Sequence, residues 1–487
     1  MKGATFPLSA VVFNRTNANR KILVVFTLLF CFCRLSVGGS STFNVREHGA
    51  LGDGKTLDTA ALNKTIDACN RAGGGVVLVP AGDYLTGTVH LKSNVMLNLE
   101  AGAQLIGTPD LSQYQNFTPP GSTPLASRLH WHRALILGEG VENVAIVGRG
   151  IINGNKVFDP HGEERMRGPH AVLFGNCRNI TLRDISIRDA ANYAVMLEFT
   201  SDVTVHGIKI TGGWDGVHFR GWKDNPCKNV SITDCQFYTG DDCIAGWYWE
   251  NTLISHCIIN SSCNGIRLIG PATDLIIHDC LFFGPGRNEH RTSGDKHRHN
   301  MLAGICLQPG AWDHTEGRLD GVKISDVTMH DVTTPLHLSV REGNTCGRVT
   351  IDRLTATGAY LAAASIESWA KAPLEHVTLR DVTMEFTGGA KAAPSADAVR
   401  APGVDARPLP AWGIYARNVE TLDMENVRLD LLHKDARPAM IFQKVGSLNL
   451  EGVKVPRGQE RAMVLKDVRE VHGDGVPTKQ QGPLEKR

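Results

Sequence analysis

The chain has 487 residues, of which 51 are basic, 50 are acidic and 42% are hydrophobic. This near balance of charge excludes a broad electrostatic surface for nucleic acid or for an anionic membrane. The 51 glycines favour a globular, turn-rich protein dominated by β-structure.

Residues 1–40 predict a secretory signal peptide. Arg15, Arg20 and Lys21 precede an apolar run at 22–33, and small residues follow it. Because a membrane span needs roughly 20 apolar residues, this run is short for an anchor, although an uncleaved anchor is the alternative. We therefore expect a secreted or periplasmic protein that contacts no membrane beyond this segment.

Residues 49–56 read GALGDGKT, which matches the pattern of a nucleotide-binding phosphate loop, G-x-x-x-x-G-K-[ST]. The segment that follows, 58–71, places Leu62, Ile66 and Cys69 on one helical face. Strands come next, without the strand-helix alternation of a nucleotide-binding fold. The open end of a stacked β-structure needs a cover. We therefore predict a capping helix, interpret GALGDGKT as the turn that enters it, and expect no nucleotide.

Two short strand patterns recur along the chain beyond residue 144, at intervals of about 20 to 30 residues. The first usually opens with Asn or Asp, and its central apolar residues include Val144, Ile180, Val203, Val230, Leu253 and Leu275. The second runs in step with the first and is centred on Val195, Val217, Ile244, Ile266 and Ile305. A β-propeller, the competing architecture, has longer blades with WD or kelch signatures, which are absent here. The repeats therefore indicate a β-solenoid, in which each turn buries its apolar face against the next.

We assign residues 43–470 to the solenoid and residues 471–487 to a flexible tail. The Pro- and Ala-rich segment 390–410 predicts a long surface loop. A second, basic loop at 284–300 is expected to overhang the binding cleft and attract acidic glycans. It carries three histidines, His290, His297 and His299.

Histidines and cysteines offer little support for a metal site. A solvated loop is the preferred interpretation of His297 and His299, with metal binding as the alternative. The chain contains no C-x-x-C motif, so a tetrahedral zinc site has little support. Three cysteines close successive copies of the first pattern and predict a buried ladder, with disulfides as the alternative: Cys235, Cys257 and Cys280.

Three aspartates occupy matched places on neighbouring turns. Asp215 and Asp242 each stand two positions before the centre of a second-pattern strand, and Asp241 lies beside Asp242. Stacked strands would gather the three carboxyl groups within about 10 Å. Repulsion between like charges then raises at least one pKa, and glycoside hydrolysis needs one protonated and one ionised carboxyl group. Turn-forming aspartates are the alternative, but nearby aromatic residues favour a sugar site: Trp214, Trp222, Trp247, Tyr248 and Trp249.

The motifs WDG at 214–216, GDD at 240–242 and CNGIRLIG at 263–270 resemble those of glycoside hydrolase family 28, the polygalacturonases and their relatives. The resemblance begins at Phe43, with FNVREHGALGDGKTLDT, and extends through His337. It implies an all-β fold, a single-stranded right-handed parallel β-helix with an N-terminal capping helix. It also implies inverting hydrolysis. Asp241 would be the general acid, while Asp215 and Asp242 would hold and deprotonate the attacking water.

The chain departs from this family where the substrate carboxylate is bound. The histidine of the family falls at Asn264, and its Arg-x-Lys pair falls at Cys306 and Gln308. Losing these cations removes the usual reason to prefer galacturonate. Replacements are expected among side chains beside the carboxyl groups, so we assign substrate binding to Asn264, Arg267, His218, Arg220 and Trp247.

The sequence thus favours a secreted glycoside hydrolase that cleaves a pectin-like or related polysaccharide as a monomer, without cofactor or metal. A lyase or epimerase on the same scaffold, which needs a base beside a neutralised uronate, is the first alternative. A non-catalytic carbohydrate-binding solenoid is the second.

Overall fold

The structure is a computed structural model that describes residues 41–116, 133–290, 297–456, 462–473 and 478–480. The chain divides into a unit at Met1–Gly39 and a unit at Ser40–Arg487, and the fold described below belongs to the second. The predicted signal peptide, residues 1–40, lies outside the described residues. Within the described ranges, no helix has the length and apolar character needed to cross a membrane.

The strands stack in parallel as a right-handed β-helix, as predicted. Each complete turn contributes a strand to three sheets, which we name A, B and C. Sheet A contains the first-pattern strands: Thr42–Asn44, Gly75–Val79, Val95–Leu99, Glu142–Gly148, Arg178–Arg183, Ser201–His206, Cys227–Thr233, Trp249–Ser255, Ala272–His278, Val322–His330, Asn344–Ala359 and Leu374–Arg380. Sheet B contains Asp53–Leu57, Gly82–Thr86, Ala103–Gly107, Ile151–Asn153, Ser186–Arg188, Lys209–Thr211, Gln236–Thr239, Ile258–Ser261, Leu281–Phe283, Thr383–Gly388 and Arg428–His433.

Sheet C contains the second-pattern strands and carries the candidate site. Its members are Val89–His90, Ala134–Glu139, His170–Gly175, Val195–Glu198, Val217–Arg220, Ile244–Trp247, Asn264–Leu268, Ala303–Leu307, Leu336–Val340, Ala364–Ser368 and Thr478–Gln480. Near the carboxyl end, strands grow long enough to run from sheet C into sheet A: Ile414–Glu425, Met440–Glu451 and Met463–Gly473. A short strand, Gly317–Leu319, pairs with Asn344–Ala359.

The amino-terminal end of the β-helix is covered by helix α1, Thr59–Arg71, as predicted. Its buried side chains are Leu62, Thr65, Ile66 and Cys69. The GALGDGKT segment folds as the turn before it, and its N–H groups are already used. Those of Leu51 and Gly52 donate to the Asp58 carboxylate at 2.7 and 3.0 Å. A phosphate cradle needs such groups free, so this geometry agrees with the interpretation as a turn.

The Asn or Asp that opens the first pattern has a conformational cause. Asn143, Asn179, Asn229 and Asn251 all have left-handed backbone, with φ between 51° and 58°. Asn tolerates this conformation better than most residues, because its short polar side chain bonds locally. The amide of Asn251 donates to that of Asn229 at 2.8 Å, one turn away. The recurring residue therefore marks a bend of the coil, stacked in a ladder.

The interior follows the predicted alternation, with one correction. The predicted centre Leu253 is wrong, because Val230 pairs with Thr252 in the register. Thr252 is therefore the inward residue and is only 2% exposed. Both Thr252 and Leu253 follow Asn251, and the pattern of apolar letters alone favoured the larger side chain.

The predicted cysteine ladder is confirmed. Cys235, Cys257 and Cys280 are free thiols, and each is at most 3% exposed. Small sulfur-bearing side chains fill the interior here without cross-linking the turns.

Four short 3₁₀ turns and a long connection complete the described fold. Single 3₁₀ turns form at Val45–His48, Leu111–Gln113, Glu163–Arg165 and Ala396–Ala398. The last lies in the connection 389–413, which we call the strap. As predicted for 390–410, it is otherwise irregular, but it packs on the outside of sheet C. Its Leu409 and Ala411 contact Tyr415 and Ile441. Strand Met463–Gly473 continues past residue 470, the predicted end of the solenoid, and residues 474–477 and 481–487 of the predicted tail lie outside the described residues.

Candidate active site

Three aspartates converge at one end of neighbouring sheet C strands. Val217 pairs with Ile244, so Asp215 and Asp242 lie in matched positions just before these strands. The N–H of Gly216 donates to the Asp242 carbonyl at 3.0 Å, which joins the two turns at this point. Asp215, Asp241 and Asp242 each offer a carboxylate oxygen, and these oxygens lie within 4.8 Å of one another. The predicted cluster is therefore present.

The two matched aspartates are held by different partners. Asp242 accepts hydrogen bonds from the N–H and the side-chain amide of Asn264, at 2.9 and 2.8 Å. Its other oxygen lies 3.4 Å from Nη1 of Arg267. Asp215 instead lies 2.6 Å from Nδ1 of His218. Both aspartates are nearly buried, with side chains only 5% and 4% exposed for Asp215 and Asp242.

Asp241 is the most accessible of the three, with its side chain 13% exposed. Its carboxylate lies 3.3 Å from Nη2 of Arg167 and 3.8 Å from Nδ1 of His290. Hydroxyl groups of Thr239 and Ser261 both donate to its main-chain carbonyl at 2.7 Å. These bonds fix the backbone, so the side chain is aimed away from the interior of the β-helix.

The three carboxyl groups have different proton affinities. Burial, together with the negative charges of Asp241 and Asp242, raises the pKa of Asp215 well above its ordinary value. Burial also raises the pKa of Asp242, although Arg267 partly opposes this. Burial would raise the pKa of Asp241 too, but His290, Arg167 and Arg267 outweigh it and lower that pKa. Asp215 therefore holds a proton more readily than Asp241 does.

Two overlapping groups of side chains have the geometry of metal ligands. One is the aspartate trio, and the other consists of Asp241, Cys263 and His290, with ligand atoms again within 4.8 Å. Both include Asp241, whose carboxylate is already paired with Arg167. A cation at either place would compete with this guanidinium.

Three of the predicted substrate-binding residues lie directly beside the acids: His218 contacts Asp215, and the other two contact Asp242. Asn264 and Arg267 both bond to Asp242, as described above. Arg267 also donates from Nε and Nη2 to the Gln308 side chain at 3.2 and 3.0 Å. The guanidinium thus occupies the neighbourhood of Cys306 and Gln308, where the family has its Arg-x-Lys pair. Arg267, which belongs to a different strand, therefore supplies one positive charge near Cys306 and Gln308.

His218 also packs with the two remaining predicted residues, Arg220 and Trp247. The His218 ring stacks on Tyr193 at 4.2 Å and meets the edge of Trp247 at 5.3 Å. Arg220 lies 5.7 Å from the Trp247 ring centroid. His218, Arg220 and Trp247 are 2%, 5% and 8% exposed, so they form a packed wall beside Asp215. Their contact with substrate stays a prediction.

The aromatic residues that suggested a sugar site divide into two groups. Trp249 is a wrong assignment, because it faces the interior of the β-helix and stacks on Phe219 at 4.4 Å. Trp214 is also buried, beneath the Arg167 guanidinium. Trp222 is 40% exposed, and Trp312, which the motif search passed over, is 53% exposed. The indole of Trp312 lies 5.5 Å from the Arg267 guanidinium carbon, so it offers a stacking surface near the acids.

Sequence reasoning missed Arg167 as a site residue and saw His290 only as part of a loop. Arg167 precedes the strand His170–Gly175, and His290 belongs to the long connection before Ala303–Leu307. Both connections emerge at the end of sheet C that carries Asp215 and Asp242. The position of both connections at this end of sheet C could have marked them as part of the site. It does not show which of their side chains points toward the aspartates. Residues 291–296 of the predicted 284–300 loop lie outside the described residues, and His290 of this loop lies 3.8 Å from Asp241.

The fold and the cluster define a class, β-helix proteins with an acidic centre on one sheet. Residues 42–267 match the family model described as rhamnogalacturonase A/epimerase, pectate lyase-like. The chain is 28% identical over 218 residues to a probable polygalacturonase of Vitis vinifera, covering 41% of this chain and 44% of that protein. It is 28% identical over 258 residues to an exo-poly-alpha-D-galacturonosidase of Dickeya chrysanthemi, covering 41% of each. The chain thus spans less than half the length of these two curated relatives.

A solved structure agrees with the fold. The exopolygalacturonase of Thermotoga maritima is similar at a TM-score of 0.60 and 19% identity, covering 80% of this chain and 92% of that one. Together these findings confirm the resemblance noted from the motifs. Over residues 42–267 the chain is thus similar to the rhamnogalacturonase A/epimerase, pectate lyase-like family and to polygalacturonases, and it shares the β-helix fold of the exopolygalacturonase.

Proposed function

We propose that this protein is a glycoside hydrolase that cleaves a pectin-type polysaccharide with Asp215, Asp241 and Asp242. The observation that carries the proposal is the meeting of these three carboxylates, from adjacent turns, within 4.8 Å. The names of the relatives, which are polygalacturonases, support the substrate class. We further propose that the protein is exported and acts as a monomer, as the sequence led us to expect.

In the proposed reaction, Asp241 protonates the glycosidic oxygen as the bond from that oxygen to the anomeric carbon breaks. Asp215 and Asp242 hold a water molecule, whose oxygen bonds to the anomeric carbon while one of these carboxylates accepts its proton. The greater exposure of Asp241 supports its place against the substrate. One carboxyl group must be protonated and one ionised at the start, as in other glycoside hydrolases.

The proton distribution in the free protein requires a shift before this reaction. His290 and Arg167 lower the pKa of Asp241, whereas burial raises that of Asp215, so the proton is held less readily on the proposed acid. A substrate carboxylate that approaches Arg167 would add negative charge near Asp241 and weaken its ion pair, which raises the pKa of Asp241. The three groups titrate as a unit, so a proton within the cluster then becomes available on Asp241.

The stereochemical course rests on the family resemblance. Inverting enzymes usually place their two carboxyl groups about 6.5–9.5 Å apart. The nearest oxygens here lie within 4.8 Å, so the spacing by itself does not favour inversion. We propose inversion because a pair of aspartates on adjacent turns suits the binding of a single water. The anomer of the first product, observed by proton NMR, tests this step.

The lyase or epimerase alternative receives no support from Arg267. A lyase needs a base beside the C5 proton of a uronate, and a well-placed arginine such as Arg267 would favour that reaction. Its guanidinium is only 5% exposed and contacts Asp242, Gln308 and the Val404 carbonyl. Burial next to carboxylates keeps a guanidinium charged. Arg267 therefore serves hydrolysis better, as a partner of Asp242.

The proposal is tested with a panel of pectic and neutral polysaccharides, measuring reducing ends and near-ultraviolet absorbance together. Native protein should release reducing ends without unsaturated products, and Asp241→Asn should abolish the release. Asp224→Asn, an exposed aspartate after the strand Val217–Arg220, is the matched control and should retain activity. Unsaturated products would mean a lyase. Equal behaviour of native protein and Asp241→Asn would mean a non-catalytic solenoid.

A further inference from the structure

The strap, residues 389–413, touches the candidate active site directly. The carbonyl of Val404 accepts hydrogen bonds from Nη2 of Arg267 at 3.2 Å and from Nε2 of Gln308 at 3.1 Å. The same Arg267 guanidinium lies 3.4 Å from the Asp242 carboxylate. A single side chain therefore separates the strap from one of the proposed acids.

A second contact anchors the strap farther along sheet C. Arg407 donates from Nη1 and Nη2 to the two carboxylate oxygens of Glu367, at 3.0 and 2.8 Å. The indole N–H of Trp369 also donates to Glu367 at 2.8 Å. Two-pronged pairs of this kind combine strength with a defined geometry. Because the carboxylate of Glu367 is fully buried, the anchor is sealed from solvent.

These contacts cover a row of residues that face outward from the β-helix. In the strand Ala364–Ser368, Ile366 packs in the interior, so its neighbour Glu367 points to the outer face of sheet C. Glu367 pairs in register with Ser339, on the turn before. Gln308, Ser339 and Glu367 are all 0% exposed although they lie on this outer face. The outer face of sheet C is thus closed on the carboxyl-terminal side of the acids.

A neighbouring loop meets the strap at the same place. Nη1 of Arg298 lies 3.8 Å from the Asp405 carboxylate, which follows Val404 in the strap. Arg298 also donates from Nη2 to Sγ of Cys263 at 3.4 Å, next to the acidic cluster. The strap is therefore held at three points, by Arg267 and Gln308, by Arg298, and by Glu367.

We propose that the strap makes this protein act on polysaccharide ends, by closing the cleft within about one turn of Asp242. This inference rests on the proposed function and adds the mode of attack. An enzyme that cleaves inside a chain needs a groove that runs past the acids in both directions. Successive turns are about 4.8 Å apart, and the strap already covers the turn that follows Arg267. A bound polysaccharide must therefore end against the strap, with its terminal sugar at the aspartates.

The experiment compares product sizes and viscosity on whichever polysaccharide of the panel the native protein cleaves. A pectic oligosaccharide labelled at its reducing end is digested alongside, and its early products are separated by chromatography. Native protein should produce one labelled species first, with little loss of viscosity for each reducing end formed. An enzyme that cleaves inside the polysaccharide would produce several labelled species at once.

Two variants open the strap in different ways. Glu367→Gln combined with Arg407→Met removes the anchor without leaving a buried charge unpaired. Replacing residues 400–406 with a short Gly-Ser segment removes Val404 while keeping Arg407. Lys391→Ala, an exposed strap residue, is the control. Circular dichroism and the melting temperature identify any variant that fails to fold.

Opening the strap should raise the viscosity loss for each bond cleaved several-fold and yield mixed products, while Lys391→Ala behaves as native. Mixed products from the native protein, or unchanged product sizes from folded strap variants, would overturn the inference and leave the proposed hydrolysis intact. No release of reducing ends from any polysaccharide would overturn the proposed function and, with it, this inference.

Discussion

Arg167 and Asp241 form an ion pair of 3.3 Å between residues that are 74 positions apart in the chain. The Arg167 guanidinium is 5% exposed and also contacts Glu164 at 3.2 Å and Glu163 at 3.6 Å. Burial raises the pKa of Glu163 to about 7, although Arg167 and Arg220 oppose this. Arg167 thus joins the loop before the strand His170–Gly175 to Asp241, the most exposed of the three aspartates. The same guanidinium helps to lower the pKa of Asp241.

The pH dependence of activity should report this pair. In Arg167→Met, Asp241 loses a cation that lowers its pKa, so the pKa rises and the acid stays protonated to higher pH. Activity that needs protonated Asp241 is lost as pH rises through that pKa. We therefore expect the alkaline limb of the kcat/KM profile to move to higher pH.

The control for this experiment is Arg165→Met, an exposed arginine of the same connection, which should leave the profile in place. His290, Glu163, Glu164 and Arg267 also face Asp241 and remain in both variants. An alkaline limb that moves to lower pH in Arg167→Met would contradict the assignment of Asp241 as the acid.

Asn264 should matter for turnover more than for binding. Its two hydrogen bonds hold one oxygen of Asp242, and bonds to charged groups are typically worth about 1.5–3 kcal/mol. Asn264→Ala keeps the main-chain bond and removes the amide, so we expect kcat to fall roughly tenfold to a hundredfold with a smaller change in KM. Steady-state kinetics measure this, with the exposed Asn225→Ala as control. A pure KM effect would place Asn264 against the sugar instead.

The cysteines should all react as free thiols. All ten cysteines in the described ranges are free and buried, so native protein should resist alkylation. After denaturation without reductant, mass spectrometry should find every one of the ten alkylated. Reductant should also leave the melting temperature unchanged, because no disulfide joins Cys235, Cys257 or Cys280. Alkylation that appears only after reduction would restore the disulfide alternative.

The strap anchor should show strong coupling in stability. Arg407→Met leaves the fully buried Glu367 without its partner, and breaking a buried pair typically costs about 3–5 kcal/mol. Adding Glu367→Gln removes that charge, so the double variant should recover much of the loss. Urea unfolding of the two single variants and the double variant forms a double-mutant cycle. Additive effects would mean that the pair contributes little.

Much of the architecture could be predicted from repetition. A β-helix repeats its chemistry at each turn, so stacked positions can be aligned by their letters. That is why the sequence by itself places Asp215 and Asp242 side by side. The same method failed at Leu253, where a polar residue, Thr252, takes an inward place and the larger apolar neighbour misleads the alignment.

The rest of the site lies outside the repeat. Arg167, His290 and Val404 belong to irregular connections, which have no periodicity to fix the direction of a side chain. Their contacts with Asp241 and Arg267 depend on how three separate loops fold over one sheet. The proton distribution follows from the same packing, because burial and neighbouring cations set each pKa.

Sequence alone therefore determined the coil, its cap and the shared position of the aspartates, since these depend on local alternation and on identical turns stacking in register. Only the tertiary structure decided how the pKa values of the three aspartates differ, where Arg267 is held and how the strap covers sheet C. Those features arise from contacts between distant segments, whose energies depend on burial and charge in three dimensions rather than on spacing along the chain.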